Sequence, residues 1–192
     1  MTTRVALHDY TVGNIGSLVA ALKRLGAEAY TTRGEGLEEA DAIILPGVGS
    51  FGAAAEMARA ALEYVGRKPL LGICLGMQLM FEESEESPGA KGLGIFKGKV
   101  VRIRAAKVPH IGWEYTASLG VCPLESGYYY YLHSYGVEAS GAPHEGAYIE
   151  LGGARYVAAV CKGGVYGVQF HPERSGKLGL KVLEGFLREA RR

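Results

Sequence analysis

Short apolar runs alternate with amphipathic stretches through the first ninety residues. Val5-Ala6-Leu7 reads as a strand that ends at polar Asp9 and a Thr11-Val12-Gly13-Asn14 turn. Ile15, Leu18, Val19, Leu22 and Leu25 then fall at helical spacing, and Gly26 supplies the left-handed residue that closes the helix. Ala29-Tyr30-Thr31 is the next strand, and a short helix covers Gly36 to Ala40. Ala42-Ile43-Ile44-Leu45 is uninterrupted by polar residues, as expected of a strand buried on both faces, and stops at Pro46-Gly47-Val48-Gly49. Ala53 to Val65 is helical by its alanines and leucine, and the Arg67-Lys68-Pro69 break returns the chain to a fourth strand, Leu70-Leu71-Gly72-Ile73, which runs through Cys74 into an apolar helix ending near Phe81. Strand and helix thus alternate four times. That order predicts an α/β fold with a mostly parallel central sheet, helices on both faces, and active loops at the carboxyl ends of the strands.

The pattern changes after the acidic run Glu82 to Glu86, which reads as a solvated helix end, and the Ser87-Pro88-Gly89 turn. Residues 99–103, 128–132, 148–151, 157–160 and 165–168 are strand-like with no helices between them, so antiparallel strands are expected in the C-terminal half. An amphipathic helix from about Lys177 closes the chain, with Leu178, Val182, Leu183, Phe186 and Leu187 inward. No repeat or linker interrupts this order, and 192 residues with 48% hydrophobic composition suit one domain spanning residues 1–192.

Charge narrows the possible partners. Twenty-one basic residues against 20 acidic give a net charge of +1, which supplies no electrostatic case for nucleic acid or an anionic membrane. The N-terminus has no apolar region of the signal-peptide kind, and no apolar run is long enough to span a bilayer, so a soluble cytoplasmic protein is expected. Cys74, Cys122 and Cys161 are odd in number and lack Cys-x-x-Cys spacing, so free thiols are expected, with no cysteine zinc site; the histidines are not spaced for a metal either. Asn14 is the only asparagine, and Gln78 and Gln169 are the only glutamines.

Candidate chemistry centres on Cys74. Gly72 and Gly76 flank it at the Gly-x-nucleophile-x-Gly spacing of a strand-to-helix elbow, which holds a side chain out at the tip of a turn. The unpaired N–H groups opening the following helix favour negative charge, suiting both a thiolate and a developing oxyanion. A buried cysteine beside two packing glycines is the competing reading. His171 and Glu173, in Gln169-Phe170-His171-Pro172-Glu173, supply an imidazole base and a carboxylate to orient it, the two groups a cysteine nucleophile needs.

Gly72-Ile-Cys-Leu-Gly-Met-Gln78, Pro46-Gly-Val-Gly49 and Phe170-His-Pro-Glu173 together resemble the signatures of class I (triad-type) glutamine amidotransferases, over nearly the whole chain. Residues 46–51, Pro109-His110-Ile111-Gly112-Trp113, the tyrosine-rich run to His133-Ser134-Tyr135, and Phe170 to Ser175 resemble, within that family, the glutaminase subunits of imidazole glycerol phosphate synthases of histidine biosynthesis. The resemblance implies a flavodoxin-like fold and no cofactor. It also implies that Cys74 attacks the carboxamide of glutamine, that His171 and Glu173 complete the triad, and that ammonia passes to a separate cyclase subunit in a heterodimer. Position by position, it implies oxyanion donors at Val48 and Leu75, and glutamine contacts at Gly49, Gln78, Ser134 and Tyr135. It further implies that Asn14, Trp113 and Arg174 meet the cyclase. Thr11 and Glu114 depart from the glycine and asparagine usual in relatives, and both are expected on the partner side. Another triad amidotransferase, a γ-glutamyl hydrolase and a thiol-sensing module are the alternative readings.

Overall fold

The computed structural model describes residues 2–9, 15–47 and 49–192. The first half alternates as its pattern predicts: β1 (Arg4–His8), α1 (Gly16–Arg24), β2 (Glu28–Thr32), a 3-10 turn (Leu37–Glu39), β3 (Ala42–Leu45), α2 (Phe51–Ala58) continuing as 3-10 helix (Arg59–Tyr64), β4 (Leu70–Ile73) and α3 (Leu75–Leu79). There follow β5 (Glu83–Ser84), β6 (Lys99–Arg102), β7 (His110–Ser118), β8 (Gly127–His133), β9 (Tyr135–Val137), β10 (Glu145–Leu151), β11 (Ala154–Lys162) and β12 (Val165–Val168). A 3-10 turn (Pro172–Arg174) and α4 (Gly176–Ala190) end the chain.

Nine strands form one sheet in the order β2-β1-β3-β4-β12-β11-β10-β7-β8, and β5-β6-β9 form a smaller one. Pairing is parallel from β2 across to β12 and antiparallel from β12 to β8. Alternation along the strands builds two cores. Val5, Leu7 and Ile44 face α1 and α4, whose Leu18, Leu22, Leu183 and Phe186 close one side. Ala6, Ile43 and Leu45 face Phe51, Ala54 and Ala58 of α2 and Met77 and Leu79 of α3 on the other. Burying both faces of the sheet is what makes β3 and β4 apolar at every position. Because β3, β4 and β12 run parallel, their carboxyl ends open on one edge, carrying the 46–50 loop, Cys74, and the Gln169–Glu173 segment.

Two expectations are corrected. Cys122 and Cys161 are not free thiols: they form a disulfide, with Cα atoms 5.7 Å apart, leaving Cys74 as the free cysteine. The pairing is tertiary, since Leu119 N–H donates to Gly146 O at 2.8 Å and Cys161 N–H to His144 O at 3.0 Å, drawing the β7–β8 loop against the β10–β11 pair. The acidic run is not a solvated helix end. Glu82, Glu85 and Glu86 accept from the backbone N–H groups of Gly98, Arg102 and Phe51 at 2.9, 3.0 and 2.7 Å, so these carboxylates tie loops to the sheet edge. β7 was unmarked as a strand because its pattern is reversed: Ile111, Trp113 and Tyr115 point outward, while His110 and Thr116 point inward. Glu114 therefore lies on the face opposite Trp113, 3.3 Å from His110 Nε2.

Candidate active site

At the end of β4 the backbone turns sharply. Cys74 has φ 51° and ψ −105°, the one positive φ at a non-glycine position among the described residues. Such a conformation costs on the order of 1–3 kcal/mol and persists only where its surroundings enforce it. Here they do: Cys74 N–H donates to Val168 O at 2.7 Å, and Gln78 N–H returns to Cys74 O at 3.1 Å. A side chain at Gly72 would meet the Gly76 carbonyl carbon at 2.6 Å, and one at Gly76 would overlap the Leu45 carbonyl. The two glycines let three segments of backbone pack at the elbow, as their spacing predicts. The helix beyond, however, has five residues and stops at Leu79, so its dipole is short and sulfur stabilisation falls to side chains.

His171 is fixed by backbone bonds on both sides. Its N–H donates to Tyr130 O at 2.9 Å, and its carbonyl accepts from Ser175 Oγ at 2.6 Å. Its Nδ1 lies 3.0 Å from Glu173 Oε1, in a pair whose side chains are both over nine-tenths buried. Because a carboxylate accepts, the proton of this bond sits on Nδ1, which leaves Nε2 for chemistry. Nε2 and Glu173 Oε2 are buried without a hydrogen-bond partner of normal geometry. Burial favours the neutral ring, but interaction with Cys74 and Glu173 outweighs it and holds the imidazolium up at about 10. Gly47 is pressed between the two groups: a Cβ there would lie 2.8 Å from Cys74 Cβ and 3.3 Å from His171 Cε1. Nucleophile candidate, base candidate and orienting carboxylate thus come together from two sequence segments about a hundred residues apart.

A cavity of about 260 Å³ opens beside Cys74, lined by Gly49, Leu75, Gln78, Glu86, Pro109, His133, Ser134 and Tyr135 among others. Every sequence-derived glutamine contact is on that wall. Glu86 is there too and was missed; among the described residues it is the only carboxylate lining the cavity, and its place inside a five-residue acidic run concealed it. His133, read from the sequence as a packing, hydrogen-bonding or surface residue, is buried, donates from Nδ1 to Tyr135 O at 2.8 Å, and is lowered to about 4, mainly by burial. A second cavity of about 270 Å³, lined by Ile15, Ser17, Glu173 and Arg174, shares Gly47 and Leu132 with the first. A larger hollow of about 430 Å³ against α4 lies away from Cys74, and its Lys181 and Glu125 are spent on each other at 2.9 Å.

Trp113 and Arg174 converge on Tyr130: the indole meets that ring edge-on at 6.1 Å, and the guanidinium stacks 4.8 Å above it. Val48, Asn14 and Thr11 lie outside the described residues. Among the described residues no His, Cys, Asp and Glu side chains cluster as a metal cradle, and no helix is long and apolar enough to cross a membrane.

The family model for class-I glutamine amidotransferases matches residues 6–190. The subunit HisH of imidazole glycerol phosphate synthase from Pyrobaculum aerophilum is 54% identical, covering 98% of this chain and 99% of that protein. The HisH of Bacillus subtilis is 43% identical over 97% of this chain and 96% of its own length. A crystal structure of a glutamine amidotransferase superposes with a TM-score of 0.76 at 26% identity, covering 98% of this chain and 99% of that one. With a family model matched almost end to end and relatives this similar along their full length, the chain belongs to the class-I glutamine amidotransferases, in the group of the HisH subunits of imidazole glycerol phosphate synthase.

Proposed function

We propose that Cys74, His171 and Glu173 are the catalytic triad that hydrolyses L-glutamine in this amidotransferase, and that the ammonia released passes to a cyclase subunit of imidazole glycerol phosphate synthase in histidine biosynthesis. The observation that carries the reading is the buried His171–Glu173 pair set against Cys74, with the ring held as imidazolium near neutral pH. The thiol proton then rests on His171, and the thiolate attacks the carboxamide carbon of glutamine. The oxyanion that forms is met by the Leu75 N–H, with Val48 as second donor. His171 returns its proton to the nitrogen as the C–N bond breaks, releasing ammonia and leaving a γ-glutamyl thioester. Water, deprotonated by His171, attacks that thioester, and glutamate leaves with the sulfur restored. Glu173 stays ionised throughout and holds the ring by Nδ1.

Substrate recognition follows from the cavity wall. Free glutamine carries an α-ammonium, and Glu86 offers the one carboxylate able to receive it. Gly49, Gln78, Ser134 and Tyr135 border the rest of the amino acid. The partner reading rests on the outer face of β7 and β8, where Ile111, Trp113, Tyr115 and Tyr128 are all more than half exposed. A contiguous aromatic face of this kind is characteristic of a protein interface. Arg174 and Trp113 edge it close to the second cavity, so ammonia formed at Cys74 has a short way past Gly47 and Leu132 toward the cyclase, with Asn14 assigned to the same contact. The heterodimer so formed works in the cytoplasm, with residues 1–192 as one amidotransferase domain and no cofactor of its own.

Cys74→Ala tests the reading. Glutamine-dependent synthesis by the chain with its cyclase should vanish, while ammonium salts still drive the cyclase reaction. Glutamine turnover that survives the substitution would remove Cys74 from the mechanism.

A further inference from the structure

The only two glutamines of the chain, Gln78 and Gln169, are both buried in one network that ends on the sulfur of Cys74. A sequence that uses so few amides and places both at one point invites the question of what the second one does. Gln169 is fully buried, and its backbone N–H donates to Ala158 O at 2.9 Å just beyond β12. Val168 pairs with Ile73, so the next residue on each strand, Gln169 and Cys74, emerges beside the other at the carboxyl edge.

The orientation of both amides is dictated by one carbonyl. Tyr135 O can only accept, and it receives Gln78 Nε2 at 2.8 Å as well as His133 Nδ1 at 2.8 Å. That fixes the nitrogen end of Gln78, whose second hydrogen goes to Gln169 Oε1 at 3.1 Å. The oxygen end of Gln169 is fixed in turn, and its Nε2 is left 3.4 Å from Cys74 Sγ as a donor. Besides Gln169 and His171, the sulfur has Leu132 O at 3.6 Å, which can only accept. These neighbours sort the two states of the sulfur: the thiol can donate to Leu132 O, whereas the thiolate can be received only by donors, the Gln169 amide and the protonated His171 ring.

We propose that Gln169 is a positioning residue for the glutaminase reaction, whose side-chain N–H holds the Cys74 thiolate and ties it through Gln78 to the substrate-bearing Tyr135 strand. The inference rests on the reading of Cys74 as nucleophile. The competing explanation is a pair of core amides that satisfy each other and touch the sulfur by proximity.

Alkylation of Cys74 by iodoacetamide, followed across pH in the full chain with its disulfide intact, separates them. Gln169→Met matches the side chain in length and removes the donor; Gln169→Leu makes the same comparison should the methionine variant not fold. Near pH 7 the variant should react about tenfold more slowly, the scale of one hydrogen bond lost from a charged group, with the deficit closing at alkaline pH where the sulfur ionises unaided. In glutamine turnover kcat should fall with little change in KM. Alkylation at the parent rate, or a deficit constant across pH, would overturn the proposal. Parent enzyme that keeps its turnover after complete alkylation of Cys74 would instead strike the nucleophile reading, and the proposal with it.

Discussion

Opening the Cys122–Cys161 disulfide is the perturbation whose cost the structure sets most directly. The two residues are 39 positions apart, and a cross-link closing a loop of that length removes denatured-state entropy worth about 4 kcal/mol at 25 °C in the chain-entropy treatment. For a chain of this size each kcal/mol moves the melting midpoint by about 2–4 °C, so reduction or Cys161→Ser should lower it by about 8–16 °C. Neither cysteine lines the cavity beside Cys74, so glutamine turnover well below the transition should be unchanged. Calorimetric melts with and without reductant measure the shift. Thiol titration of the unfolded chain gives the companion count, one before reduction and three after. A midpoint indifferent to both reduction and substitution would refute the staple, and three titratable thiols before reduction would refute the bond.

Glu173→Gln keeps the shape of the His171 partner and removes its charge, so kcat for glutamine should fall by about 10²–10⁴-fold with KM little changed; unaltered kcat would remove Glu173 from the triad. Two of the buried histidines, His171 and His133, give opposite pH limbs of stability. His171, raised to about 10, stabilises the fold fully below its unfolded pKa and loses that contribution as pH rises from about 6.5 through 10. His133, lowered to about 4, binds its proton more readily in the unfolded chain, so stability is lost as pH falls from about 6.5 toward 4. Denaturant midpoints across pH should therefore peak between the limbs; His133→Phe should flatten the acid side, and an unchanged acid limb would show that His133 does not set it.

What the sequence revealed of this fold depended on whether the deciding interaction was local. The elbow at Cys74 was legible because Gly72 and Gly76, which pack against each other, lie within five residues of chain. β3 and β4 were legible because a strand buried on both faces is apolar at every position. β7 was not, since its apolar residues are outward and its polar ones inward, the reverse of what half-burial against a core would give. The disulfide was hidden for a related reason. Nothing near Cys122 or Cys161 marks a pair, and the bond exists because a nine-strand order brings the β7–β8 loop over β11.

The site divides along the same line. His171 and Glu173 are two residues apart, so their pairing could be read directly, whereas Glu86 gains its meaning only from the loop it closes. Its Oε2 takes the Phe51 N–H at 2.7 Å, which fastens the segment after α3 to the start of α2 and brings the carboxylate to the cavity wall. Gln169 is further removed still, reaching Cys74 across 95 positions. Parallel pairing of β4 with β12 shortens that separation to adjacent strand ends, and it is the same pairing that brings His171 to the nucleophile. A substitution that shifted the Val168–Ile73 register by one residue would turn Gln169 from the sulfur and carry His171 with it, because adjacent residues on a strand face opposite sides of the sheet. Base and sulfur donor are thus positioned by one backbone register, and neither can be displaced along the strand without the other.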